Sequence, residues 1–350
     1  MSDETKTPVE KKPGWWLYRG TGVYNEHNQL NPKVIAGLKQ ADTPPWRRFD
    51  REAARKRGAQ FIPELYEIER VNAALLLRRP LLVTGRPGTG KTSLTYAVAH
   101  ELGLEPVLRW SITSRTTLQE GLYHYDAIAR LQDIPQTGEK KGEKPPIGDY
   151  IKLGPLGTAF LGKEYEGEYY PRVLLIDEID KSDIDLPNDL LHVFEEGEFE
   201  IPELKRQKAP AFEINPWDDG PKVEIEGGKV QCRAFPIVVM TSNGEREFPP
   251  AFLRRCLQLE MRPPEREKLK RIVEARLGPT GKHNDQIEKL LDRFLEDRDD
   301  KKKDLATDQF LNAIFLILHD IDPRDGVRPL DDKEALIEAL WKSLSEEQIG

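Results

Sequence analysis

Two cysteines in 350 residues, Cys232 and Cys256, with no CxxC pair, exclude a disulfide framework and suit a reducing, cytoplasmic setting. Histidine is sparse as well. The six residues are scattered without HExxH or another ligand spacing, which argues against a zinc site held by the protein. Long apolar runs are missing: FLNAIFLILHDI at 310–321 is too short to span a bilayer and carries Asn312, so no membrane insertion is expected. The opening MSDETKTPVEKKPG has none of the apolar core that a signal peptide needs. Basic charge is in deficit, 53 Lys and Arg against 61 Asp and Glu, for a net −8. Chains that coat nucleic acid usually concentrate positive charge, so nucleic acid is not the expected partner.

What remains is a chain long enough for one large domain or two ordinary ones. Residues 1–60 form a Trp/Pro-rich arm, with Trp15, Trp16, Tyr18, Tyr24 and Trp46 among glycines and prolines and no sustained helical or strand period. Its aromatics either pack on the body of the protein or dock a partner. From 61 the texture is regular. ELYEIERVNAALLL, SLTYAVAHELGL and PNDLLHVFEEG read as helices, the last two ended by Gly103 and Gly197. RPLLVTG, EPVLRWSIT, PRVLLIDEID and AFPIVVMTSN read as strands, each a nearly continuous apolar run, which predicts a parallel sheet covered on both faces. A charged Gly/Pro-rich loop at 132–148 and a β-hairpin turning at Gly227-Gly228 (about 222–235) interrupt the alternation. Beyond 262–268 the pattern is helical, apart from EDRDDKKKD at 296–304, which reads as a solvated charge run.

GRPGTGKTS, residues 85–93, fits G-x-x-x-x-G-K-[ST] between a predicted strand and a predicted helix, the context that gives the pattern meaning. Gly85, Gly88 and Gly90 let the backbone curl. The binding stretch Gly85, Arg86, Pro87, Gly88, Thr89, Gly90, Lys91, Thr92 and Ser93 then turns successive N–H groups inward at phosphate oxygens, and the following helix adds its positive end. Lys91 would reach the β- and γ-phosphates and the Thr92 hydroxyl a Mg2+ ion; the alternative is a tight glycine turn with a chance Lys-Thr. In VLLIDEID, a buried strand ending in two acids is costly unless they meet a cation or a water. Asp177 suits Mg2+, and Glu178 suits activation of the attacking water. For Asp180 and Asp183 an acidic helix start is a sufficient reading. Asn243 closes the fourth strand, where ligands of parallel sheets sit, so it either reaches the γ-phosphate or caps the turn before Gly244. Arg254 and Arg255 follow a Pro249-Pro250 turn, and a solvated pair at a helix end is the alternative to a phosphate contact.

The order of these parts resembles the AAA+ ATPases, and within them the MoxR-like branch. The stretches that carry it are LLLRRPLLVTGRPGTGKTSL, GLYHYDAIARL, IKLGPLGTAFL, RVLLIDEIDKSDIDLPNDLLHVFEEGEFEIPEL and VVMTSNGEREFPPAFLRRC. The resemblance covers about 60–262 well and the C-terminal helices loosely. It implies an α/β fold: a P-loop core over 61–262 with a parallel five-stranded sheet between helices, then a smaller helical lid over 263–350. The stretch at about 117–150 is similar to the branch's helix-2 insertion, and the one at about 222–235 to its pre-sensor hairpin. Asn243 takes the sensor 1 role. Arg255, with Arg254 as runner-up, becomes an arginine finger given to a neighbouring subunit, and Arg328, in preference to Arg324, the sensor 2 residue of the lid. In the family's usual DRF, Arg254 here replaces the acid and Cys256 the aromatic.

The expected function is Mg2+-dependent ATP hydrolysis by a homo-oligomeric ring, a homohexamer by resemblance, that remodels, matures or activates a client protein. The branch's usual partners carry a von Willebrand factor A domain. A slow nucleotide-gated assembly switch is a second reading, against which the intact Glu178 speaks. A nucleic-acid-directed motor is a third; it needs a basic lining, and Glu224, Glu226, Lys229 and Arg233 make a mixed one.

Overall fold

The computed structural model describes residues 43–48, 51–133, 145–300, 305–319 and 339–341. They fall into two compact units, one of residues 54–263 and one in which described residues before 54 group with those after 263. Among the described residues no helix is long and apolar enough to cross a membrane.

The larger unit is organised by five short apolar strands: β1 (Leu81–Thr84), β2 (Leu108–Ser111), β3 (Val173–Asp177), β4 (Ile237–Ser242) and β5 (Leu257–Glu260). They form one sheet in the order β5-β1-β4-β3-β2, every neighbouring pair parallel. Strands whose two faces are both covered should be apolar throughout, and all five residues of β3 are buried. Helices α1 (Leu65–Leu77) and α2 (Lys91–Glu101) pack on one face, where Ala74 and Leu94 meet Leu81, Val83, Val239 and Leu259. On the other face Leu82, Trp110, Leu174, Ile176 and Met240 share a core with helices α3 (Leu186–Glu196) and α4 (Pro250–Arg255). Along the edge strand β2, Leu108 and Trp110 are buried, whereas Arg109 and Ser111 alternate with them in exposed positions.

The five-stranded parallel sheet and the helical C-terminal region agree with the sequence reading, but local details differ. β5 carries LQLE, a half-exposed alternation too short to stand out, and it follows α4 with only Cys256 between them. The turn at Gly227-Gly228 does not close a hairpin. Val223–Glu226 pairs antiparallel with Ala211–Ile214, and Lys229–Gln231 pairs antiparallel with Glu198–Glu200, so each arm has found an upstream partner. Residues 51–59 of the supposedly irregular arm form a helix: REAARKRGA has no apolar stripe but consists largely of good helix formers. Gly58 sits where a Cβ would lie 2.5 Å from the Tyr96 carbonyl oxygen, so this helix approaches α2 at backbone distance.

In the smaller unit α5 (Arg266–Leu277), α6 (Asn284–Leu295) and α7 (Thr307–Leu318) enclose their own core, with Phe294 stacked on Phe310 at 4.8 Å. Trp46 belongs to this unit: its indole N–H donates to Asn312 Oδ1 at 3.1 Å and its ring meets Phe315 edge-on. For Trp46 the packing alternative therefore holds; Trp15, Trp16, Tyr18 and Tyr24 lie outside the described residues. The charge run at 296–304 is not solvated throughout. Asp297 and Arg298 are buried, and the Arg298 guanidinium donates to the Pro264 carbonyl at 2.8 Å while pairing with Asp299.

Cys256, 5% exposed between α4 and β5, has its thiol pushed up to about 12 by burial. The thiolate is the reactive form. At pH 8 its alkylation is therefore expected to run about a thousandfold slower than that of an ordinary thiol, and to be released by denaturant. Half-buried Cys232 should label first; counting modified thiols by mass spectrometry before and after unfolding checks this.

Candidate active site

Between β1 and α2 the chain makes the tight curl that its glycines foretell. Gly85 has φ of 143° and a Cβ there would stand 2.6 Å from the Met261 carbonyl oxygen, so no other residue fits without displacing backbone. Lys91 opens α2 and is largely buried. Its ammonium folds back over the loop and donates to the carbonyls of Gly85 at 2.6 Å and Arg86 at 3.0 Å. One turn of backbone, the positive end of a helix and a buried ammonium thus converge on one place, a combination suited to phosphate.

Asp177 ends β3 beside this loop. Thr92 of α2 donates its hydroxyl to Asp177 Oδ1 at 3.0 Å, and Thr241 of β4 donates to the same oxygen at 2.7 Å. The other oxygen, Oδ2, pairs with the Arg109 guanidinium of β2 at 2.6 Å. Three separate elements are therefore tied to one carboxylate. Glu178 follows in a left-handed conformation, φ 62°, which turns the chain off the strand directly after Asp177. Its backbone N–H donates to Thr241 Oγ1 at 2.9 Å, and its carboxylate pairs with Lys181 at 2.8 Å, raising the Lys181 pKa through that hydrogen bond.

Asp180 does lie in the first turn of a short 3-10 helix, Ile179–Lys181, but it does more than start it. It is buried, and its Oδ2 accepts the backbone N–H groups of Asn243 at 2.8 Å and Glu245 at 3.1 Å, while Oδ1 has no hydrogen-bond partner among the described residues. The segment after β3 thereby fixes the segment after β4. Asn243 stands half-buried directly after β4, its side-chain amide facing Glu245 at 3.5 Å.

The structure thus brings Lys91, Thr92, Asp177 and Glu178 together with the end of β4. Arg254 and Arg255 close α4. Arg255 pairs with Glu195 of α3, and Arg79 donates to the carbonyls of Arg254, Arg255 and Cys256, capping the helix end. Neither arginine side chain is bonded to the glycine-rich loop, Asp177 or Glu178 of its own chain. Arg324 and Arg328 lie outside the described residues. Arg109, Thr241, Asp180 and Lys181 are the residues that sequence reasoning missed. The spacing of Asp180 three residues after Asp177 was a visible signal; the partners of Arg109 and Thr241 depend on strand order.

The donor set fits magnesium: the Thr92 hydroxyl and the Asp177 carboxylate are hard oxygen donors brought together beside the phosphate-suited loop.

The model of the family described as ATPase family associated with various cellular activities (AAA) matches residues 81–263. No curated protein sequence matches the chain. Two of the solved structures similar to it are the S. cerevisiae Hsp104-ADP complex and NtrX from Brucella abortus in complex with ATP. The first is 16% identical with a TM-score of 0.38, covering 69% of this chain and 45% of that one. The second is 13% identical with a TM-score of 0.34, covering 75% of this chain and 53% of that one. The chain spans about half the length of these two structures.

Proposed function

Because the chain belongs to the AAA family of ATPases, we propose that it hydrolyses ATP with Mg2+ as a MoxR-like homo-oligomeric ring, a homohexamer, that remodels or activates a partner protein. One observation carries the hydrolase reading. The loop around Lys91, the Thr92 hydroxyl and the Asp177 carboxylate meet at one point, with Glu178 next in the chain. Thr92 and Asp177 would hold Mg2+, whose charge offsets that of the β- and γ-phosphates. Lys91 exchanges its loop carbonyls for phosphate oxygens. Glu178 leaves Lys181 and accepts the proton of the attacking water, and Asn243, anchored through its backbone by Asp180, orients that water or the γ-phosphate. Arg255, with Arg254 as runner-up, serves the phosphate of the adjoining subunit.

The choice of a client with a von Willebrand factor A domain rests on the resemblance, and the net charge of −8 speaks against nucleic acid. The second reading, a slow nucleotide-gated switch, gains nothing from the pairing of Glu178 with Lys181, because a pair exposed at both ends releases the base at a cost of about 0–1 kcal/mol. Light scattering of the full chain tests the oligomer. With ATP-Mg2+ the Glu178→Gln variant is expected to assemble into a discrete ring, and a monomer under all conditions would overturn the ring and its trans arginine.

A further inference from the structure

Asp177 carries a counter-ion that nothing in a phosphate-binding motif requires. Its side chain is 8% exposed, and both hydroxyls sit on Oδ1, leaving Oδ2 to Arg109. The sheet register explains the approach. On the edge strand β2, Arg109 lies opposite Leu175 and Ser111 opposite Asp177, so Arg109 shares the face of Asp177 and reaches it from one pleat back. The two ends of this pair differ in burial. The carboxylate is enclosed, whereas the Arg109 side chain is 47% exposed. A buried carboxylate needs a compensating charge, while a flexible, half-exposed guanidinium leaves for water at little cost.

We propose that Arg109 is a resting counter-ion for Asp177, held on Oδ2, so that metal and arginine compete for the charge of one carboxylate. The proposal rests on the Mg2+ role assigned to Asp177 above. Its consequence is that metal alone binds poorly and arrives with the nucleotide, whose phosphates supply further oxygen ligands and make displacement of the guanidinium favourable. Arg109 acts through Asp177 and is a positioning residue.

Thermal unfolding of the full chain with Mg2+ alone, against NaCl of equal ionic strength, separates this from a purely structural pair. Wild type is expected to show no Mg2+-specific shift. Arg109→Gln should unfold earlier without metal, because Asp177 loses its partner, and Mg2+ alone should raise its Tm by several degrees. The Mg2+ concentration that half-saturates ATP binding should fall about tenfold in the same variant. Arg109→Lys, which keeps the charge but not the fork, should shift in the same direction by less, and serves if Arg109→Gln does not fold. Arg109→Gln/Asp177→Asn should be silent to Mg2+. An Arg109 variant that responds to Mg2+ like wild type would overturn the assignment, as would a double variant that responds like Arg109→Gln. If wild type binds no ATP-Mg2+, the hydrolase reading falls, while the shifts with metal alone still decide the role of Arg109.

Discussion

Glu178→Gln is expected to leave ATP-Mg2+ bound while cutting multiple-turnover phosphate release by about 10² to 10⁴-fold. The substitution keeps the size and left-handed backbone of the residue. The backbone N–H that Thr241 Oγ1 accepts is untouched, so the carboxylate of Asp177 and the hydroxyl of Thr92 stay in register. What disappears is the group able to take a proton from water. Lys181 also loses its anionic partner, but that pair is exposed at both ends, and such pairs contribute about 0–1 kcal/mol. Stability should therefore barely move. Equilibrium binding of a fluorescent ATP analogue and steady-state phosphate release, measured on one preparation, check both halves. Lost binding would make Glu178 a structural residue.

The second large effect concerns the arginine pair. Arg255→Ala is expected to retain nucleotide affinity yet lose about 10³-fold in hydrolysis, the scale of a guanidinium delivered to a transferring phosphoryl group. In the isolated chain Arg255 is already paired with Glu195, while among the described residues the Arg254 side chain has no ion pair. The preference for Arg255 comes from the family resemblance, and magnitudes show whether its pairing stands against it. The Arg255–Glu195 pair is 48% and 53% exposed, and surface pairs of that kind are worth about 0–1 kcal/mol, against about 4 kcal/mol for a thousandfold rate effect. The pair is therefore no obstacle to Arg255 acting in trans. Arg254→Ala is expected to cost under about tenfold. Mixing decides the direction: Arg255→Ala subunits keep their own Glu178, and Glu178→Gln subunits keep their arginine. The mixture should regain activity that neither variant has alone, and no recovery at any ratio would refute action between subunits.

The parts of this site that a reader of the sequence can find are those written in contiguous residues. The loop 85–93 sits between one apolar strand and one helix, and the acids of VLLIDEID end a strand buried throughout. The parts that escaped are pairings across the sheet. Thr241 reaches Asp177 because β4 lies between β1 and β3, and Arg109 does so because β2 is the outer neighbour of β3. Neither adjacency follows from chain order. The same cause misplaced the arms of the Gly227-Gly228 turn, which pair with strands that no local pattern announces. Burial of charge was illegible for another reason. Arg298 in EDRDDKKKD and Asp180 in DEID carry the composition of a surface, and the backbone groups that compensate them come from Pro264 and from Asn243 and Glu245.

Whether the chain is an assembled, Lys91-dependent ATPase is decided by phosphate release from the wild type, followed across protein concentration with ATP and Mg2+ and repeated with Lys91→Ala. Release is expected to depend on Mg2+, to rise per subunit as subunits assemble, and to be lost in Lys91→Ala together with nucleotide binding. Release equal in wild type and Lys91→Ala, or none from the wild type at any concentration, would contradict it.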